Sequence, residues 1–475
     1  VNSNSKDAVL TGLSPFTLHP SPSFIDTHCH IEMKEFDPDR EEVIKRAREA
    51  GIEAMITIGS DLEGTLEGVK LSELHDFIYS SVGIHPHEAR DFTDQTYSLL
   101  KELTQKQKVI AIGETGLDYH YDHSPRDLQR IVFRRQLELA NETGLPVIIH
   151  SREADEDTLN IVRESGISHG VFHCFSGNSD MAEQVMALGF YISIAGPVTF
   201  KKAVGLQEVA RRIPDDYLLI ETDAPYLTPE PFRGRRNEPV YIINTAKKIA
   251  ELRGISLQDL SRITTLNAKR LFTIGTLPEK GEITYQIRDS LYLNITNRCT
   301  NKCSFCIKFN SDFVKGHKLR LSHEPTVEEL KEEIGDPSRF REIVFCGYGE
   351  PLQRLDVVKQ IAQWVKEQGG HVRINTNGHA NLIHKRNIIP ELKGLVDSMS
   401  ISLDAQDAET YNKICRPYFP HAYEEVLSFT RRVKDAVPDV QVTIVNLPEV
   451  DLKKCEEIAK ELGVKFRVRE LDVVG

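Results

Sequence analysis

Short apolar runs recur through the first half of the chain, at residues 24–30, 54–59, 78–84, 109–114, 146–150, 170–173, 190–194 and 218–223. Between several of them lie longer segments whose apolar residues return at helical spacing, as in Glu41 to Ala50 and Asp127 to Thr143. A short bounded run predicts a strand, and the 3.6-residue period predicts a helix packed on it. Eight such alternations over roughly 250 residues predict a (β/α)8 barrel, closed by the helical pattern Ser261 to Phe272. A second series of runs, at 291–296, 342–346, 371–375, 398–403, 440–445 and 464–469, predicts a smaller, partial (βα)6 barrel. One of its helices, Pro325 to Ile334, has Thr326 to cap it and glutamates in its first turn. The expected α/β chain is therefore a disordered lead-in at 1–22, a barrel at 23–273, a linker at 274–287 and a second domain at 288–475.

The runs of the first barrel end in polar residues of one kind. The first delivers His28 and His30, which share a face because side chains alternate along a strand. The fourth delivers Glu114, the fifth His150, the sixth His173 and the eighth Asp223. In a parallel barrel these ends converge on the rim where active sites lie. Any one of them alone could be a polar strand cap. Together, four imidazoles and two carboxylates suit a pair of divalent ions bridged by one carboxylate, able to activate water and clamp a phosphoryl group.

Composition narrows this reading. The chain of 475 residues carries a net charge of −12, the wrong sign for a broad nucleic-acid-binding face. A phosphate substrate would have to be met locally, by metal ions or by a patch such as Arg233-Gly234-Arg235-Arg236, although a charge run is usually just solvated. No run of about 18 apolar residues predicts a membrane span. Three of the eight cysteines fall within Cys299 to Cys306, which predicts a thiolate site in a reducing, cytoplasmic compartment rather than a disulfide framework.

The segments Ile25-Asp26-Thr27-His28-Cys29-His30, Gly83-Ile84-His85-Pro86-His87, Gly113-Glu114-Thr115-Gly116-Leu117-Asp118-Tyr119, Ile149-His150-Ser151-Arg152, His173-Cys174-Phe175-Ser176-Gly177 and Glu221-Thr222-Asp223-Ala224-Pro225-Tyr226-Leu227 resemble, in order, the TatD family of metal-dependent hydrolases. The resemblance covers roughly residues 24 to 272 and implies an amidohydrolase-type barrel, with members that degrade DNA from the 3′ end. Carried over by position, it implies one metal on His28, His30 and Asp223 and another on His150 and His173, with Glu114 between them. Asp223 and Glu114 are the expected catalytic carboxylates, Asp223 both ligating and accepting a proton from water. His85, His87 and Arg152 are expected to contact substrate, and His120 and His123 are expected to be loop residues. The metals could be Zn, Mn, Fe or Mg.

In the second domain, Cys299-Thr300-Asn301-Lys302-Cys303-Ser304-Phe305-Cys306 holds three cysteines with no fourth close by. Structural zinc usually takes four ligands, so this reading needs a distant Cys346 or a histidine. Three thiolates can instead hold three irons of a four-iron cluster and leave one open. The triplet is similar to the radical S-adenosylmethionine (SAM) signature, and Cys346-Gly347-Tyr348-Gly349-Glu350-Pro351 resembles that superfamily's glycine motif. The likeness implies a [4Fe-4S] cluster on Cys299, Cys303 and Cys306. It also implies SAM-binding backbone at Gly347 and Gly349, and contacts from Glu350, Asn377, Ser402 and Asp404. Cys415 and Cys455 are expected to pack structurally. The pairing is similar to radical SAM proteins joined to TatD nucleases. It implies a DNA or small phosphoester or ester substrate for the first domain and an electron donor for the second. The alternatives are a hydrolase of small esters, lactones or amides, and a second domain that only binds a cluster or zinc.

Overall fold

In a computed structural model, residues 22–470 are described. The expected lead-in lies outside them except for Pro22. Eight strands follow the eight apolar runs: β1 (Phe24–Cys29), β2 (Ile52–Ile58), β3 (Ile78–Val82), β4 (Val109–Asp118), β5 (Val147–Arg152), β6 (Gly170–Phe172), β7 (Tyr191–Ile194) and β8 (Leu218–Ile220). They pair in parallel in sequence order, each neighbour reached through a helical crossover. The helix Leu257–Phe272 buries Ala268, Leu271 and Phe272 against Ile25, Ile56, Ile110, Ile148 and Leu219. This apolar plug fills the barrel at the end away from the predicted ligands.

At the seam between β1 and the residues after β8, one buried side chain makes two of the closing bonds. Asp26, fully buried, accepts from the Thr222 amide at 2.9 Å and from the Thr222 hydroxyl at 2.5 Å. Beyond it the Asp223 amide donates to the His28 carbonyl (2.9 Å) and the His30 amide to the Ala224 carbonyl (2.7 Å). Burial lifts the Asp26 carboxyl to about 8, against the pull of the Thr222 hydrogen bonds. His28, His30 and Asp223 are therefore placed by the same few bonds that close the barrel.

The second sheet contains the six expected strands, β10 (Ser290–Leu293), β13 (Glu342–Phe345), β14 (Val372–Thr376), β15 (Ser398–Ser402), β16 (Asp439–Asn446) and β17 (Lys465–Glu470), all parallel in that order. The expected linker 274–287 is shorter than its sequence suggests. Its last residues form β9 (Thr284–Ile287), an antiparallel edge strand on β10. The sequence reading also omits a small hairpin, β11 (Phe313–Val314) and β12 (His317–Lys318), turning through Lys315 and Gly316 at φ 47° and 80°. That hairpin meets the first domain: Arg262 Nε donates to the Lys315 carbonyl at 2.9 Å, Lys315 Nζ lies 3.1 Å from Asp215, and the Arg270 guanidinium covers Phe313. Asp215 and the helix Leu257–Phe272 belong to the plugged end of the barrel, so the second domain packs at the end opposite the ligand rim.

Replacing Asp26 by alanine strands two buried Thr222 donors. We expect a loss of about 3 kcal/mol from the first domain, read as a lower thermal midpoint, with Asp26→Asn recovering a substantial part of it. An unchanged midpoint in the alanine variant would show that the seam does not depend on this contact.

Candidate functional site

Six strands bring the predicted residues to one cavity of about 690 Å3, lined among others by His30, His85, His87, Glu114, His150, Arg152, His173 and Asp223. Glu114, on β4, lies at its centre and is almost fully buried. Its Oε2 faces His28 Nε2 at 3.4 Å and His30 Nε2 at 3.9 Å. Its Oε1 faces His173 Nε2 at 2.7 Å, His150 Nδ1 at 2.8 Å and His85 Nε2 at 3.4 Å. Asp223 Oδ1 stands 3.5 Å from His30 Nε2 and 3.7 Å from His28 Nε2. Three donor groups could each hold an ion: His28–His30–Asp223, His28–Glu114–His173 and His85–Glu114–His150.

The donor set fits divalent cations. The Ile58 carbonyl lies 2.6 Å from His30 Nδ1, so that nitrogen carries the hydrogen and Nε2 presents a lone pair. This lone pair points at His28 Nε2, 3.2 Å away, and His150 Nδ1 likewise faces His173 Nε2 at 3.2 Å. Burial pulls the His30 and His173 imidazoles down, but Asp223 and Glu32 for the one, and Glu114 and Glu221 for the other, hold them well above their ordinary range, so protons and a metal ion compete for the same ring nitrogens. Burial pushes Glu114 up, yet the surrounding imidazoles, His173 and His85 foremost, keep it well below the usual carboxylate range. Lone pairs and carboxylates crowded in a buried space call for positive charge at their centre.

The sequence reading overlooks the carboxylates that stand behind these imidazoles. Asp118, on the continuation of β4 beyond Glu114, lies 3.1 Å from both His150 Nε2 and His87 Nε2. Glu221 lies 3.4 Å from His173 Nδ1 and accepts from the Cys174 amide at 2.6 Å, while Glu32 lies 3.5 Å from His30 Nδ1. Such partners orient imidazoles toward an ion. His85 sits against Glu114 as well as in the cavity, closer to the donors than a substrate contact alone requires. Arg152 is exposed in the cavity with its guanidinium over the Tyr121 ring at 4.8 Å. Arg233, Arg235 and Arg236 do not line it, and Arg236 is bound to Asp39 at 2.7 Å. His120 pairs with Glu153 and His123 stacks on Tyr121, both in the loop after β4.

In the second domain, Cys299, Cys303 and Cys306 lie half-buried in the loop after β10. The Lys302 and Ser304 amides donate to the carbonyls of Cys415 (3.0 Å) and Ile414 (2.8 Å). Burial pushes the Cys299 thiol up to about 12 and raises Cys306 as well. Among the described residues the three sulfurs do not form a group within 4.8 Å of one another. A tetrahedral zinc, with Zn–S of about 2.3 Å, needs its sulfurs about 3.8 Å apart. Three half-buried thiols on one loop are a donor set that three irons of a cluster can take.

The glycines of the motif are required by a close approach within the protein. A Cβ on Gly347 would lie 2.3 Å from Asn294 Oδ1, and one on Gly349 would lie 2.3 Å from the Arg298 carbonyl. These glycines let the motif pack against the backbone leading into the cysteine loop. Glu350 is likewise occupied by the protein, accepting from the Leu352 amide, the Thr376 hydroxyl and the Asn377 amide. Asn377 in turn donates to Thr300 at 2.8 Å and approaches Cys299 Sγ at 3.8 Å. Ser402 is half-buried at the end of β15. Asp404, buried beyond it, has Oδ1 without a hydrogen bond and 3.6 Å from Arg469.

Residues 25–273 match the family model described as TatD related DNase. The chain belongs to the TatD family. Residues 293–462 match the model of the Radical SAM superfamily, so the TatD barrel is followed by a radical SAM domain. Among TatD relatives, the uncharacterized metal-dependent hydrolase YabD of Bacillus subtilis is 48% identical over 252 residues, which span 53% of this chain and 99% of the relative. The 3′-5′ ssDNA/RNA exonuclease TatD of a Rahnella species is 38% identical over 254 residues, 52% of this chain and 97% of the relative. The crystal structure of the TatD homolog YJJV from Escherichia coli superposes with a TM-score of 0.51 at 30% identity, covering 53% of this chain and 98% of that one.

Below the radical SAM cysteine loop, His379 is buried with Nδ1 3.0 Å from the Thr300 hydroxyl and Nε2 3.0 Å from the Tyr411 hydroxyl. Burial lowers it from 6.5 to about 4. A base depressed in the folded state contributes stability that is complete above its unfolded pKa. We expect about 3 kcal/mol of radical SAM domain stability to disappear as pH falls from 6.5 through about 4. Calorimetric midpoints against pH would show this step, and a His379→Gln chain would lack it. An identical pH profile in the two chains would exclude His379 as its source.

Proposed function

We propose that residues 23–273 form a dinuclear-metal hydrolase that removes nucleotides from the 3′ end of single-stranded nucleic acid, and that the domain from β9 onward is a radical SAM enzyme. One observation carries the first half: the two oxygens of Glu114 face separate imidazole sets, His28 and His30 on one side, His150 and His173 on the other. His28, His30 and Asp223 would hold one ion, His150 and His173 the other, and Glu114 both. Bound ions would supply Lewis acidity, lowering the pKa of water and neutralising the phosphoryl oxygens. Asp223, beside the first group, accepts the proton released by the attacking water. Asp118 and Glu221 keep His150 and His173 turned toward Glu114. Arg152, in no ion pair among the described residues, offers the cavity an uncompensated cation for a second phosphate, for which a small neutral ester has no use.

In the second domain, Cys299, Cys303 and Cys306 would hold a [4Fe-4S] cluster, whose chemistry is the one-electron cleavage of SAM to methionine and a 5′-deoxyadenosyl radical. Asn377 and Thr300 stand beside Cys299 and order that end of the loop. Asp404, whose buried Oδ1 faces Arg469 at 3.6 Å without a hydrogen bond, can accept one from a bound cofactor or substrate.

Paired variants separate the two halves. Replacing His28 and His30 by alanine is expected to reduce hydrolysis of a single-stranded oligonucleotide to the level of chelator-stripped protein, while the visible absorbance of anaerobically reconstituted cluster persists. Cys303→Ala is expected to do the reverse and to abolish 5′-deoxyadenosine formation. Hydrolysis surviving in the histidine variant would refute the metal assignment.

A further inference from the structure

The hydrolase cavity is lopsided. On one side stand Arg152, His85 and His87; on the other lie Met33, Phe175, Pro197, Leu206, Tyr226 and Leu227. Tyr226 and Leu227 are about half exposed, at 48% and 39%, and stand next to each other in the cavity wall, where their apolar surface is open to a ligand. The Tyr226 ring meets the edge of His30 at a centroid distance of 6.1 Å, and its hydroxyl touches only Met33 Sδ, at 3.5 Å. No other aromatic ring or cation stacks on it among the described residues.

This wall is built rather than loose. Buried Asn237 donates to the carbonyls of Tyr226 (2.6 Å) and Thr222 (2.8 Å), and the Asn237 amide donates to the Pro225 carbonyl. The Tyr226 amide donates to the Asp223 carbonyl at 2.8 Å, tying the ring to a residue of the first donor group three positions away. A Cβ on Gly196 would lie 2.1 Å from the Leu227 carbonyl, so the loops after β7 and β8 are in close contact at the slot's edge.

Resting on the nuclease reading above, we propose that the slot beside Tyr226 takes the base of the 3′-terminal nucleotide, the one released. The scissile phosphate then lies at Glu114, between the slot and Arg152, and the preceding phosphate meets Arg152. A flat, partly apolar group stacks on an aromatic face whatever its sequence, so the slot makes the enzyme sequence-tolerant but dependent on a base being present. Tyr226 is a binding residue here, acting through its face and not its hydroxyl.

The test uses full-length protein with saturating Mn2+ and two 5′-labelled single-stranded oligonucleotides. One ends in thymidine and the other in an abasic tetrahydrofuran residue. Wild type is expected to prefer the ordinary end by about 10- to 100-fold in kcat/KM. Tyr226→Ala removes most of that preference by slowing the ordinary end alone, and Tyr226→Phe retains it. An equal slowing of both ends by Tyr226→Ala would mark a merely structural role and overturn the proposal. So would a preference that persists in this variant, or one that follows an abasic residue at the penultimate position. A wild-type enzyme inert on both oligonucleotides would overturn the nuclease reading itself, and the slot with it.

Discussion

Five histidines crowd around a single buried carboxylate, and the barrel places them there at a cost it does not itself recover. Glu114 is nearly sealed from solvent, yet its two oxygens are approached by His28, His30, His85, His150 and His173. Ring nitrogens 3.2 Å apart repel unless a proton or a metal ion lies between them. The remaining polar groups of the rim follow from this constraint. Asp118, Glu221 and Glu32 fix the rings from behind, and Asp26 draws β1 against the segment after β8 so that His28, His30 and Asp223 share a wall.

The second domain is attached where it does not disturb this arrangement. The β11–β12 hairpin packs on Arg262, Arg270 and Asp215 at the plugged end of the barrel, and among the described residues none beyond Leu227 lines the hydrolase cavity. The same hairpin follows directly on the cysteine loop, and Tyr348 of the glycine motif hydrogen-bonds back to the Ser311 carbonyl just before it. The join therefore braces the thiol loop while leaving the hydrolase mouth open at the far end. The cysteine loop and the cavity at the barrel rim are therefore separate.

Much of this was legible in the amino-acid order, for a definite reason. Histidines and acids standing immediately after apolar runs mark strand ends, and strand ends in a parallel barrel have one destination. Asp118 was hidden because Gly113, Thr115 and Gly116 interrupt the apolar run, although its even spacing from Glu114 was a usable signal. The glycine motif announced a close approach but not all its partners, since a missing Cβ does not name the neighbour it admits; one such neighbour is the 294–298 stretch. Strand β9 (Thr284-Tyr285-Gln286-Ile287) is too polar to stand out as an apolar run, β11 and β12 are two residues each, and only the Lys315-Gly316 turn foreshadowed the hairpin. His379 carried no sequence cue beyond following Asn377-Gly378, because its role depends on Thr300 and Tyr411, both remote in sequence.

The central claim is that Glu114 stands between two metal ions, and anomalous diffraction from crystals grown with Mn2+ addresses it without any assay. The account predicts two peaks about 3.5–4 Å apart on either side of the Glu114 carboxylate, one next to His28, His30 and Asp223, the other next to His150 and His173. A single peak, or a pair that leaves Glu114 uncoordinated, would contradict it.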